Sequence, residues 1–269
     1  MSEPVILREI GEGLKGVAKI TLNRPLVHNA LDDYIIESLS QAFLEFAQDP
    51  TVRAIILAAN GQIFSAGADL NHMKRVAAYT FEKNVEEAKK LSQLLDIIDR
   101  CPKPTIACVQ GAAFGGGVGL IAACDIAICV EDAFFCLSEV KWGLIPAMIS
   151  PYVINAIGQR QLRRYVLTAD RMSAVEALRL GLIHQVVGEG ELEATVEALV
   201  VSILKGSPEA IKASKELIRF VESRPIDESI HEETAQRLAM VRSSIEGQEG
   251  INAFLAKRLP SWIPKSEEG

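Results

Sequence analysis

Apolar and polar residues alternate through Val5–Arg8 and again through Val17–Leu22, with Gly11 and Gly13 between them. A period of two broken by turn residues predicts a hairpin. Asn23-Arg24-Pro25 ends its second strand, and the period then becomes helical. Leu31, Ile35, Leu39, Ala42, Phe43 and Phe46 share one face, in a helix beginning at Ala30 with Asn29 as its cap. The continuous apolar run 52–59 reads as a buried strand, residues 80–99 as a helix, and 105–109 as a second buried strand after Pro102 and Pro104. Further strands are expected at 126–129, 134–137 and 183–187, a loop at 143–147, and helices at 150–157, 160–167 and 173–180, the last ended by Gly181. Beyond about Glu191 the pattern changes to helices alone, at 191–205, 207–222, 226–243 and 246–258. Ser207-Pro208 supplies a cap and a first-position proline there. The organisation is therefore an α/β core of stacked strand–helix units over 1–190 and a helical region over 191–269, packed on its own core or on another subunit.

Two junctions interrupt this regular pattern. Ala112-Ala113-Phe114-Gly115-Gly116-Gly117-Val118-Gly119-Leu120 joins a strand-like run to a helix-like run. Each glycine in a helix costs about 1 kcal/mol relative to alanine, so three at a helix entrance imply close approach of something to the main chain. The first N–H groups of a helix are unpaired and bind anions or a developing oxyanion. Tight helix–sheet packing without a ligand explains the tract equally well. A second strand, 54–59, runs into Ser65-Ala66-Gly67-Ala68-Asp69-Leu70, small residues that again bare the main chain, with Asp69 placed to cap a following helix. One N–H from each junction, aimed at one carbonyl oxygen, is the usual construction of an oxyanion hole.

Composition narrows the function classes. The 269 residues are 49% hydrophobic and 23% charged, as in an ordinary globular protein. A net charge of −7, with only Lys257-Arg258 as a local cationic pair, leaves no footprint for nucleic acid. Cys101, Cys108, Cys124, Cys129 and Cys136 form no CxxC pair, and an odd count in apolar runs predicts reduced thiols in a reducing compartment. The four histidines are scattered, without the spacing of zinc ligands, so no metal site is expected. The first ten residues lack a signal-peptide pattern and no apolar stretch reaches the ~20 residues of a membrane span. A cytoplasmic protein without membrane contact is the expectation.

Glu139 is the carboxylate that stands out. It sits in an apolar segment near Trp142 and Leu144, where desolvation raises a carboxyl pKa toward the range useful for proton transfer. The alternative is an ion pair with Lys141 on a solvated edge. Asp125 and Asp69 are expected to hold a turn or cap a helix. A GxSxG elbow is absent, and the glycine tract is not a dinucleotide fingerprint in its proper place.

Taken in order, several motifs resemble one family. Ser65–Leu70, Lys103-Pro104-Thr105-Ile106-Ala107, Gly111 through Leu120 and Cys124-Asp125-Ile126 are similar to the enoyl-CoA hydratase/isomerase (crotonase) superfamily. So are Asn23-Arg24-Pro25 with Asn29-Ala30-Leu31, and Ala253-Phe254-Leu255-Ala256-Lys257-Arg258 near the C-terminus. The resemblance spans nearly the whole chain. It implies a spiral of ββα units, a C-terminal helical trimerisation region, a homotrimer or dimer of trimers, and an acyl-CoA thioester substrate, with coenzyme A present only as part of that substrate. It also implies Ala68 and Gly116 as oxyanion donors and Glu139 as the acid–base residue. Substrate or CoA contacts fall on Ala66, Asp69, Leu70, Gly115 and Gly119, and on Phe254 and Lys257 for the adenine and 3′-phosphate, often across a subunit boundary.

One position departs from the family pattern. Hydratases of this family often carry two glutamates; the second is retained as Glu139, but the first position is Gly119. A single carboxylate resembles what several family isomerases use to move a proton between C2 and C4. Residues 117–120 and 143–153, however, are similar to a bacterial branch of hydratases acting on branched or carboxylated enoyl-CoA, of the 3-methylglutaconyl-CoA type in leucine breakdown. There the glycine is usual and is expected to leave room for a bulkier acyl chain or a water. Hydration is the expected activity; Δ3-Δ2-enoyl-CoA isomerisation by Glu139 alone, or acyl-CoA binding without turnover, are the alternatives.

Overall fold

The computed structural model describes residues 6–11, 14–222 and 224–263. Strands β1 (Ile6–Ile10) and β2 (Val17–Leu22) form the antiparallel hairpin, with Ile6 opposite Leu22. Val5 and Gly13, read as part of it, lie outside the described residues. A 3₁₀ turn at Pro25–Val27 leads to α1 (Asp33–Gln48), β3 (Ala54–Ala59), β4 (Ile63–Ser65), α2 (Leu70–Val76) and α3 (Phe81–Asp99). Then come β5 (Thr105–Val109), β6 (Ala112–Phe114), α4 (Gly116–Ala123), β7 (Ile126–Val130) and β8 (Phe134–Cys136). A second 3₁₀ turn, Glu139–Trp142, precedes α5 (Ser150–Thr168), β9 (Arg171–Ser173), α6 (Ala174–Leu180) and β10 (Gln185–Val187). Helices α7 (Leu192–Leu204), α8 (Pro208–Val221), α9 (Glu228–Ser243) and α10 (Ile245–Leu255) follow.

The strands form two sheets. The larger has the order β1-β2-β3-β5-β7-β10 and is parallel apart from the first hairpin. The smaller has the order β4-β6-β8-β9. The pairs β3/β4, β5/β6 and β7/β8 each place a long strand in the first sheet and a three-residue strand in the second. Successive ββα units thus advance side by side, which is the spiral implied by the resemblance. The short strands carry too few residues to show a period, and the sequence reading contained neither β4, β6 nor β9.

Both faces of the large sheet are covered. Along β3, Ile55 and Leu57 enter the main core, whereas Ala54, Ile56 and Ala58 enter a second one. This is the alternation of a strand whose two faces are both buried. The main core includes Phe43, Phe46, Phe64, Leu94, Leu95 and Phe135. On the other face, Leu192, Val196 and Val200 of α7 cover Ile56, Ile106, Cys108 and Ile128. Helix α7 opens the helix-only region in sequence, yet packs as part of the α/β core.

Two boundaries differ from the sequence reading. Helix α1 begins at Asp33, not Ala30, because the Asp32 side chain accepts the Ile35 N–H at 2.9 Å and caps it. Asn29 is no cap: it is buried, with φ 52°, and its amide spans Asn60 O and Ile63 O at 2.8 and 2.9 Å. Glu139 lies on a 3₁₀ turn rather than at a strand edge. Within α5 the chain breaks at Gly158, which separates the two helices expected there. Asp125, expected to hold a turn or cap a helix, instead ties distant segments together, accepting from Thr105 N and Oγ1 at 2.7 and 2.9 Å and from Lys215 Nζ of α8 at 2.5 Å. All five cysteines are free and buried. Among the described residues no helix is long and apolar enough to cross a membrane.

Candidate active site

The β4–α2 junction is stitched to the segment before α1. Leu31 N donates to Gly67 O at 2.7 Å and Asp69 N donates to Leu31 O at 2.9 Å, an isolated parallel bridge between Leu31 and Ala68. Because Leu31 makes both bonds, the N–H of Ala68 opposite it points away from this pairing. Ala68 is exposed between two buried neighbours, Gly67 and Asp69. Asp69 caps α2, its Oδ1 accepting from Asn71 N and His72 N at 2.8 and 3.1 Å. Burial pushes the Asp69 carboxyl up, but these two amides and the Arg24 guanidinium outweigh it and hold the pKa below its ordinary value. Ala66 N donates to His28 O, and Leu70 is exposed.

The glycine tract meets this junction directly. Gly67 has φ 79°, and a Cβ there would lie 2.9 Å from Phe114 O. Gly115, the N-cap of α4, has φ 45° and ψ −115°, a conformation that L side chains rarely adopt. Each glycine of the tract faces a different group. A Cβ at Gly115 would lie 2.9 Å from Glu139 Oε1, at Gly116 2.9 Å from Leu31 Cδ1, and at Gly117 2.7 Å from Ser65 Cβ. Close packing thus explains Gly117, while the partly exposed Gly116 opens the first turn of α4, where its N–H has no intrahelical partner. Among the described residues neither the Ala68 nor the Gly116 N–H donates to a protein acceptor.

Glu139 completes the group. Its Oε2 is buried without a hydrogen-bond partner, and burial raises its pKa, opposed by a bond from its own backbone. The cause is not the one read from the sequence. Trp142 and Leu144 are exposed, whereas Gly115 of the glycine tract lies so close to the carboxyl that a Cβ there would come within 2.9 Å of Oε1. Lys141 does not pair with it; Lys141 Nζ donates to Ala169 O at 3.0 Å. A desolvated carboxyl against the entrance of α4 can take and return a proton, and the free amides at the two junctions can stabilise an oxyanion.

Gly119 is bare for a reason the sequence does not show. A Cβ there would lie 2.2 Å from Ile149 Cγ2 and 2.9 Å from Ile149 Cβ. The expected room for an acyl branch or a water at Gly119 is therefore filled by Ile149. Phe254 and Lys257 stand apart from this group: Phe254 is exposed on α10, which packs mainly against α8 and α9, and Lys257 follows it with φ 54°. Asp33, His72 and Glu87 bring ligand-type atoms within 4.8 Å of one another, but Arg75 and Lys90 already pair with Asp33 and Glu87, at 2.7 and 2.6 Å. The sequence reading also missed Arg24, Asn29 and Ser65 as supports of the junction. The one available signal was the motif Asn23-Arg24-Pro25 with Asn29-Ala30-Leu31.

The chain is similar in sequence and fold to known proteins. The enoyl-CoA hydratase/isomerase family model matches residues 12–265. A crystal structure of an enoyl-CoA hydratase from Shewanella pealeana superposes with a TM-score of 0.93 at 45% identity, covering 96% of each chain. A carnitinyl-CoA dehydratase of Salmonella typhi is 34% identical over 97% of this chain and 99% of its own. An enoyl-CoA hydratase of Alternaria alternata is 34% identical over 89% of this chain and 78% of its own.

Proposed function

The chain belongs to the enoyl-CoA hydratase/isomerase family, an enzyme family, and we propose that it is a hydratase adding water across the 2,3 double bond of an enoyl-CoA thioester. The observation that supports this most is the Glu139 carboxyl, buried and lacking a partner for Oε2, packed against the glycine tract that bears the Gly116 amide. In this reading the thioester oxygen accepts the Ala68 and Gly116 N–H groups. Ionised Glu139 takes a proton from water as its oxygen bonds to C3, and the π electrons move onto the thioester as an enolate. Glu139 then returns that proton to C2, the enolate collapses, and the enzyme is unchanged. Each oxyanion donor is worth about 3–4 kcal/mol of barrier. Ala66, Asp69, Leu70 and Gly115 contact the substrate or its CoA, and Phe254 and Lys257 hold the adenine and 3′-phosphate; Gly119, packed on Ile149, acts only through that packing. The assembly is a homotrimer or a dimer of trimers in the cytoplasm. The acyl class, branched or carboxylated, rests on the similarity of residues 117–120 and 143–153 to that branch.

One observation favours a second reading. Glu139 is a solitary carboxyl: Ile149 occupies the space beside Gly119, and no charged neighbour contributes to the Glu139 shift. A single base suffices to carry a proton from C2 to C4 in a Δ3-Δ2 isomerisation. Purified protein offered 2-enoyl-CoA and 3-enoyl-CoA esters, straight, branched and carboxylated, separates these readings. Loss of the conjugated-thioester absorbance marks hydration, and its appearance from a 3-enoyl ester marks isomerisation. Tight binding without either change marks a non-catalytic acyl-CoA-binding protein.

A further inference from the structure

We propose that Arg24 is a positioning residue for the Ala68 amide, clamping with one guanidinium the two helix-capping carboxylates that flank the oxyanion loop. The proposal rests on the reading of Ala68 as an oxyanion donor. An amide that must stay free for substrate cannot be oriented by a hydrogen bond of its own; its neighbours have to hold it. Those neighbours are Gly67 and Asp69, each bonded to Leu31, and the carboxylate of Asp69.

The clamp uses both terminal nitrogens of the fork. Arg24 Nη1 lies 2.7 Å from Asp32 Oδ2 and 3.3 Å from Ala30 O, and Nη2 lies 3.3 Å from Asp69 Oδ2. Each carboxylate is divided between two tasks. Asp32 gives Oδ1 to the first turn of α1, and Asp69 gives Oδ1 to the first turn of α2. Their second oxygens meet on Arg24. The three side chains are mostly buried, at 23, 19 and 9% exposure for Arg24, Asp32 and Asp69, so solvent screens the contacts weakly. Arg24 is itself held, its N–H donating to Asn29 Oδ1 at 2.8 Å, and Asn29 in turn ties down the strand leading into the loop. A lysine is a point charge on a flexible stem and cannot span both carboxylates in one plane.

The test uses the full chain, Arg24→Gln and Arg24→Lys, and a cinnamoyl-type enoyl-CoA whose absorption moves to the red when hydrogen-bond donors polarise its carbonyl. Misplacing a catalytic group by about 1 Å costs about 10²-fold, so Arg24→Gln is expected to lower kcat by about 10- to 100-fold with KM within about threefold. The red shift of the bound ester shrinks in parallel, and Arg24→Lys lies between. Where Arg24→Gln fails to fold, Asp69→Asn keeps a capping oxygen for α2 while losing the ion pair, and the same loss of red shift is expected. A full red shift with unchanged kcat in the folded variant overturns the proposal, whatever its thermal stability. A wild-type protein that neither shifts the chromophore nor turns over any enoyl-CoA overturns the oxyanion reading itself, and this proposal with it.

Discussion

At the scale of single residues, the chemistry proposed for Glu139 comes with a cost to the fold. Its raised pKa means that the folded state binds the proton more tightly than the unfolded chain does. The stability that follows is complete below the ordinary carboxylate pKa and is lost as pH rises through the raised folded value. Glu139→Gln cannot ionise and escapes that loss. It is expected to reduce turnover by about 10²-fold or more. Its thermal midpoint is expected to equal or exceed that of the wild type, the margin widening in calorimetry as pH rises from the ordinary carboxylate pKa through the raised folded value. In the wild type the acid limb of kcat/KM should fall above the ordinary carboxylate range. Unchanged turnover in the variant removes Glu139 from the mechanism. Gly119 carries a second residue-scale prediction. With Ile149 Cγ2 2.2 Å from where its Cβ would stand, Gly119→Ala overpacks the core and is expected to cost about 1–3 kcal/mol. Pairing it with Ile149→Ala should recover most of that loss in denaturant titrations. Equal stability of Gly119→Ala and wild type shows that the contact relaxes freely.

At the scale of elements, what the sequence revealed depended on length. Strands of five or six residues, with period two as in β2 or continuously apolar as in β3, and helices with a clear apolar face, such as α1, were legible because burial imposes the pattern directly. The three-residue strands β4, β6 and β9 offer one or two side chains to each face, too few to set a period, yet β4 and β6 deliver the two junctions to one place. The same limit applies inside the site. Ala68, Gly116 and Glu139 were visible as bare main chain and a carboxylate in an apolar run. Ile149 and Arg24 were not, because a contact between residues far apart in sequence leaves no mark on local composition. The start of α1 was misplaced because Asn29 and Asp32 are both acceptable caps, and only the tertiary bonds of Asn29 decide between them. The attachment of α8 is also invisible locally. Lys215 Nζ reaches Asp125 Oδ2 at 2.5 Å and Lys103 O at 2.9 Å, at the edge of the β5–β7 pair. Hydrogen bonds to charged groups contribute about 1.5–3 kcal/mol, so Lys215→Met should loosen α8 from the core by that order. Limited proteolysis is the measurement: faster cleavage within 208–255 with the strand-rich core intact is expected, and an unchanged cleavage pattern argues against the anchor.

At the scale of the whole molecule, the C-terminal helices remain unfinished as a monomer surface. Among the described residues α8 has no buried side chain, and Ile218, Met240, Ile245, Phe254 and Leu255 are 66, 73, 91, 82 and 72% exposed. A patch of this kind on one layer marks an interaction surface. The same layer carries the exposed Phe254 and Lys257, the residues expected to hold the nucleotide end of the substrate, on and just after α10, which packs mainly against α8 and α9. The proposed self-association would account for both facts: it would cover the apolar layer, and it would bring the α10 of one subunit to the Glu139 site of the next. Light scattering at micromolar concentration should then give a multiple of the monomer mass. A stronger test mixes two impaired proteins, Glu139→Gln and the double variant Phe254→Ala/Lys257→Ala, dissociates them together and lets them reassemble. Around a ring of head-to-tail contacts, random assortment gives about a quarter of the sites one intact Glu139 and one intact neighbour. Activity at low substrate should rise to about that share of wild type. If each chain completes its own site, mixing regenerates no intact site, and the activity of the mixture stays at the average of its two parents.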